Sequence, residues 1–216
     1  MNMDGRLPPR VLDVNGVVRV ERELKEGHGE DACLCICEPG NKASIIACLD
    51  GCGGAGAKRY HSADNWTGAR LASRICGNAV YAWFLEKYTE ETVPVGVKAV
   101  TTADGMWLAI NSALTNAIQT LAEDATAIKG RLTRPLPTTL AAAVMEDDGD
   151  GGLLLTYVWA GDSRGYLFSQ DGLCQMTNDD IRGELDAFDN LTGDGVLTNV
   201  ISANGDFQLR SEKLSV

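Results

Sequence analysis

The stretch IIACLDGCGGAGAKRY, Ile45–Tyr60, changes character at Asp50. An apolar, partly β-branched run climbs to Leu49, as in a strand buried on both faces. One carboxylate follows, and then three glycines within four positions, Gly51, Gly53 and Gly54. A carboxylate at the end of a buried strand, next to nearly bare backbone, is a ready ligand for a hard divalent cation such as Mg²⁺ or Mn²⁺. Such ions take oxygen donors, backbone carbonyls among them. Glycine lets the chain turn with positive φ and lets a phosphate or a water approach the backbone closely. The alternative reading is a plain tight turn capped by an aspartate.

On the N-terminal side, ACLCICE predicts a strand over residues 31–38, hairpinned through EPGNK to a second strand over 43–49. GVVRVERE predicts an earlier strand. On the C-terminal side, a three-and-four spacing of Ala72, Ile75, Ala79, Ala82 and Trp83 predicts a helix over about 66–88. Trp107, Ile110, Leu114, Ala117 and Leu121 predict a second helix over about 104–128, stopped by RPLP. The period then drops to two. TTLAAAVM, GLLLTYVWA, RGYLFSQ and CQMTND read as strands joined by hairpins at EDDGDGG and QDG. Helices are segregated from strands, so the fold class is α+β, an antiparallel sheet against a helical layer, within one domain over residues 1–216.

The chain has 216 residues, 44% of them hydrophobic and 23% charged, which is the composition of one globular core. A formal net charge of −11 argues against a nucleic-acid or anionic-membrane partner, since both are bound through a Lys/Arg surplus. No apolar run is long enough to span a bilayer and the N-terminus lacks a signal-like core, so a cytoplasmic location is expected. The seven cysteines form no CxxC pair, and His28 and His61 lie far from a zinc spacing. Cys33, Cys35 and Cys37 alternate onto one strand face and are expected as small buried hydrophobes in a reducing compartment.

Two further stretches bear on the metal reading. In GHGEDACL, Glu30 and Asp31 precede the strand that hairpins with the one ending at Asp50, placed to hold metal-bound waters. In VWAGDSRGYLFSQDGLCQMTNDD, a strand ends at Ala160-Gly161 and Asp162 follows on a tight turn. Either could be an ordinary loop acid. Taken in order, GEDACL, ACLDGCGG, PTTLAAAV, WAGDSRGYLFSQDGLCQMTNDD and GVLTNVISANGDFQL resemble the blocks of the metal-dependent (PPM-type, type 2C) serine/threonine protein phosphatases. The resemblance covers about residues 28–212.

The resemblance implies an antiparallel β-sandwich flanked by helices, with a cleft that holds two Mn²⁺ or Mg²⁺ ions and takes a phosphoprotein substrate. By motif, Asp50 would bridge the ions, the Gly51 carbonyl would ligate one, Glu30 and Asp31 would hold waters, and Asp162 would help hold a third, weaker ion. Two cations make a bridging water acidic enough for in-line attack on phosphorus, with no covalent intermediate. The chain departs from the pattern at three places. Cys52 stands where many members carry a histidine acid, and beside cations its thiol pKa would be lowered and its alkylation faster than that of Cys33, Cys35 and Cys37. Glu26 stands where the phosphate-binding arginine is expected, with Lys25 and His28 the nearest substitutes. The family's closing Ser-Asp-Gly and Asp-Asn blocks have no counterpart before Val216, and Asp194-Gly195 matches the loop ahead of them. The expectations are therefore weak binding of at most one ion, little hydrolysis by residues 1–216 alone, and association through an open sheet edge. A catalytically inactive, phosphatase-like binding or regulatory module is the second reading, and a cysteine-rich binding domain unrelated to phosphate is the third.

Overall fold

The computed structural model describes residues 10–14, 17–21, 29–37, 43–89, 101–121, 134–148, 150–182 and 196–215. Seven strands form one antiparallel sheet: β1 (Arg10–Val14), β2 (Val17–Glu21), β3 (Ala32–Cys37), β4 (Ala43–Leu49), β7 (Leu140–Asp147), β8 (Leu153–Ala160) and β11 (Arg210–Ser215), in that spatial order. Two short ribbons accompany it, β5 (Arg59–Tyr60) with β6 (Trp66–Thr67), and β9 (Tyr166–Ser169) with β10 (Gly172–Gln175). Two helices, α1 (Gly68–Thr89) and α2 (Thr102–Leu121), lie in the connection between β4 and β7. The fold is α+β, an antiparallel sheet flanked by helices.

Alternation decides which face of the sheet meets the helices. Leu34, Ile36, Ile45, Ala47 and Leu49 are buried, and they join Ala72, Cys76, Val80 and Phe84 of α1 and Met106, Ile110 and Leu114 of α2 in the main core. α1 is capped by Thr67, whose Oγ1 accepts the Arg70 N–H at 3.2 Å, and α2 by Thr101, whose Oγ1 accepts the Asp104 N–H at 3.1 Å. The opposite sheet face carries a second cluster, Leu155, Tyr157 and Trp159 of β8, packed against Leu167, Met176 and Leu214. Among the described residues the layer on this side is the β9–β10 ribbon.

Two expectations are corrected. The strand cysteines are not core residues: Cys33 and Cys35 are half-buried and Cys48 is exposed, whereas Cys76 on α1 is buried. The larger apolar side chains of the other parity take the helix side, so the thiols are left on the opposite face. Of the expected α1 stripe, Ala72 and Ala79 are buried and Ile75 and Trp83 pack against the core, but Ala82 is exposed, and Cys76, Val80 and Phe84, outside the expected set, are fully covered. The segment near the end of the chain forms β11, which pairs with β8 from Arg210↔Trp159 to Ser215↔Leu154 and so covers the edge of β8. Lys25, Glu26, His28 and Asp194 lie outside the described residues.

Candidate functional site

In an antiparallel sheet, the start of one strand lies beside the end of its neighbour. The start of β3, the end of β4, the start of β7 and the end of β8 therefore share one rim, because β3–β4, β4–β7 and β7–β8 are adjacent pairs. Glu30 and Asp31 sit just before β3, Asp50 just after β4, Thr138 and Thr139 just before β7, and Asp162 two residues after β8. Topology alone brings acids separated by more than 100 residues of sequence to one end of the sheet.

Local bonds hold each in place. The Asp50 carbonyl accepts the Thr139 N–H and the Thr138 hydroxyl, both at 2.8 Å. Gly51 is bridged to Thr138, but the bonds of that bridge belong to its neighbours, Cys52 N–H to the Pro137 carbonyl and Thr139 N–H to the Asp50 carbonyl. The Gly51 carbonyl takes no part in the bridge. A Cβ on Gly51 would stand 2.6 Å from the carbonyl oxygens of both Ala69 and Glu30, which is why this backbone must be bare. Glu30 lies with its carboxylate over Gly53 and accepts the Thr67 hydroxyl at 2.5 Å. The capping threonine of α1 thus also anchors an acid of the rim. Ser73 donates to the Glu30 carbonyl, and Arg70 donates to the Gly29 carbonyl at 2.8 Å with its guanidinium 4.4 Å over the Trp66 ring.

At the end of β8, Gly161 has φ +91, and its N–H donates to Asp180 at 3.1 Å. Asp180 is buried, at 4% exposure, and also accepts from Arg210 at 2.6 Å and from the Asn199 amide at 2.7 Å. Arg164 forks onto Asp179. Thr139 and Ser163 share a hydroxyl bond of 2.6 Å across β7 and the turn after β8. Asp180, Arg210, Asn199 and Thr67 support the rim, and sequence reading did not nominate them.

The electrostatics are those of crowded acids. The Asp50 carboxyl is raised to about 7, first by desolvation, then by a hydrogen bond with Asp31, and then by the charges of Asp31, Asp162 and Glu30. Burial pushes the Cys52 thiol up to about 12, reinforced by Asp50 and Asp162 and opposed by Arg134. The lowered pKa expected for Cys52 applies beside bound cations; burial first, and then the neighbouring carboxylates, act in the other direction. Oxygen donors of this kind, an uncommitted backbone carbonyl and a glycine cradle suit a hard divalent cation that keeps most of its waters. They do not make a closed cage: among the described residues no three His, Cys, Asp or Glu side chains converge to hold an ion by themselves.

No protein-family model matches the chain, and no curated protein matches it by sequence. Solved structures do. The serine/threonine phosphatase PstP/Ppp of Mycobacterium tuberculosis superposes with a TM-score of 0.52 at 15% identity, over 93% of this chain and 72% of that one. Serine/threonine phosphatase Stp1 from Staphylococcus aureus gives 0.56 at 17% identity, over 87% and 66%. A bacterial serine phosphatase gives 0.55 at 16%, over 87% and 67%. At these identities the likeness is one of fold: the chain has the fold of the PPM-type serine/threonine phosphatases.

Proposed function

We propose that the chain is a metal-dependent phosphatase for phosphoserine or phosphothreonine in proteins, with its centre at the rim formed by Glu30, Asp31, Asp50, Gly51 and Asp162. The observation that carries the reading is the gathering of Glu30, Asp31, Asp50 and Asp162 on one rim, where burial first, and then hydrogen bonding with Asp31 and repulsion by the neighbouring acids, raise the Asp50 carboxyl to about 7. A divalent ion relieves that repulsion. Asp50 and the Gly51 carbonyl would ligate it, Glu30 and Asp31 would hold its waters, and Asp162 would help hold a third, weaker ion. Thr138 and Thr139 fix the Asp50 backbone, so the main chain that carries the carboxylate does not have to be ordered on binding. Mn²⁺ or Mg²⁺, two ions in the family, would supply charge neutralisation at the phosphoryl oxygens and a more acidic water. Cys52, at the position where the family resemblance places a general acid, is the candidate to protonate the leaving oxygen. A cytoplasmic location is consistent with the free cysteines.

A second reading, a phosphatase-like module that binds phosphoproteins without turnover, is favoured by the lack of a closed three-acid cluster among the described residues. Calorimetric titration with Mn²⁺, run beside phosphate release from a phosphoserine peptide, separates the two. The proposal expects ion-dependent release above the Asp50→Asn background, and a larger loss of Mn²⁺ affinity in Asp50→Asn than in Asp31→Asn or Asp162→Asn. Peptide binding without release would establish the second reading. Asp50→Asn as the mildest of the three variants would remove the site.

A further inference from the structure

Cys33 on β3 and Cys48 on β4 are direct cross-strand partners. Both point away from the helices, and their thiols are hydrogen-bonded to each other. Cys48 is exposed and Cys33 half-buried. They line a groove of about 270 Å³ on the open sheet face, beside Ile46, Ala141, Tyr157 and Tyr166, with room for a small oxidant. Cys35 lines the same groove, but no other described cysteine stands directly opposite a second cysteine in the strand registers. Cys35 is opposite Ile46, Cys76 is buried on the helix side, Cys174 is on the separate ribbon, and Cys52 lies beyond the strand end.

We infer that Cys33 and Cys48 form a two-electron oxidation site that closes to a disulfide across β3 and β4 when the protein meets a hydroperoxide. Directly opposed residues of an antiparallel pair have Cβ atoms about 4.5–5.5 Å apart, and a disulfide needs about 3.5–4.5 Å, so the strands have to close by only about 1 Å. In the first step the Cys48 sulfur attacks a peroxide oxygen. The O–O bond breaks, and the departing hydroxide takes the thiol proton and leaves as water. Cys48 is then a sulfenic acid. In the second step the Cys33 sulfur attacks the Cys48 sulfur. The S–S bond forms as the S–O bond breaks, and hydroxide leaves as water with the Cys33 proton. Two thiols have given two electrons to one peroxide, and a dithiol reductant reverses the reaction by exchange.

The pair stands two residues after Asp31 and two before Asp50, so the bond would lie one pleat below the acid rim. The oxidation site itself does not depend on the phosphatase reading. It is tested on the full chain, reduced and then treated with hydrogen peroxide, with remaining thiols alkylated and the protein digested by trypsin without reductant. Cys33 then lies on the peptide of residues 26–42 with Cys35 and Cys37, and Cys48 on that of residues 43–58 with Cys52. Fragmentation of the cross-linked pair assigns the bond. The expected result is a Cys33–Cys48 link, lost on treatment with dithiothreitol and kept in Cys35→Ser and Cys52→Ser. In Cys33→Ser, Cys48 is expected as a sulfenic acid trapped by dimedone. A link through Cys35, Cys37 or Cys52, or full alkylation of Cys33 and Cys48 after peroxide, would overturn the inference.

Discussion

Asp50 carries the clearest conflict at the scale of a single residue. In the unfolded chain its carboxyl titrates at the ordinary 3.8, and in the folded chain at about 7. Between those values the folded chain keeps a proton that the unfolded chain has released. Its stabilising contribution is therefore fully present below about pH 4 and is lost as pH rises through 7. A three-unit shift corresponds to about 4 kcal/mol, but the residue faces solvent, and screening reduces this to about 1 kcal/mol. Metal-free Asp50→Asn should lack this loss. Urea unfolding from pH 4 to pH 8 should show wild type losing about 1 kcal/mol more than the variant. Parallel pH profiles would mean that the acids are too well solvated to repel one another.

The phase of α1 is the matter to test at the scale of the element. Val80 is fully covered and Ala82 exposed, two positions apart on the same helix. Val80→Lys places a charge against the sheet and should cost several kcal/mol, whereas Ala82→Lys should stay within about 0.5 kcal/mol. Thermal melts of the two variants read the difference directly. The sequence put Ala82 on the buried stripe with Ala72 and Ala79, which are buried, because alanine is small enough to suit either side. The side chains that settle it are Cys76, Val80 and Phe84, which meet β3 and β4 only across tertiary packing. Strands β3, β4 and β7 to β10 were legible from their alternation, as were both helices from their spacing. β11 was not: RSEKLS has little apolar pattern, being an exposed edge whose bonds all go to β8. β5 and β6 are two residues each, too short to show a period. In the site, Glu30, Asp31, Asp50, Gly51, Cys52 and Asp162 were nominated from short motifs. Asp180 and Arg210 were not, because their bond joins residues 30 apart and has no local signature. Cys33 and Cys35 of β3 share a face, as alternation requires, but which face is set by the bulk of Leu34 and Ile36 on the other side.

At the scale of the whole molecule, one core spans both helices and four strands of the sheet, β3, β4, β7 and β8, and Cys76 lies within it at 0% exposure, its thiol pKa pushed up by burial. Its reaction with an alkylating reagent should wait on global opening, while Cys48 and Cys174 react in the folded chain. Mass-spectrometric time courses in increasing urea should show Cys76 labelling following the unfolding curve, and prompt labelling in native buffer would place a local opening at α1. The connection between β4 and β7 spans about 90 residues, from Asp50 to Thr139. A ribosome adding about 5–20 residues per second takes roughly 5–20 s to make that length. Throughout that interval the nascent β3–β4 hairpin offers the bare edge of SIIACL to neighbouring chains, since the strand that will cover it has not been synthesised. The yield of folded protein in a cell is then governed by translation speed and chaperone supply, however stable the finished molecule is.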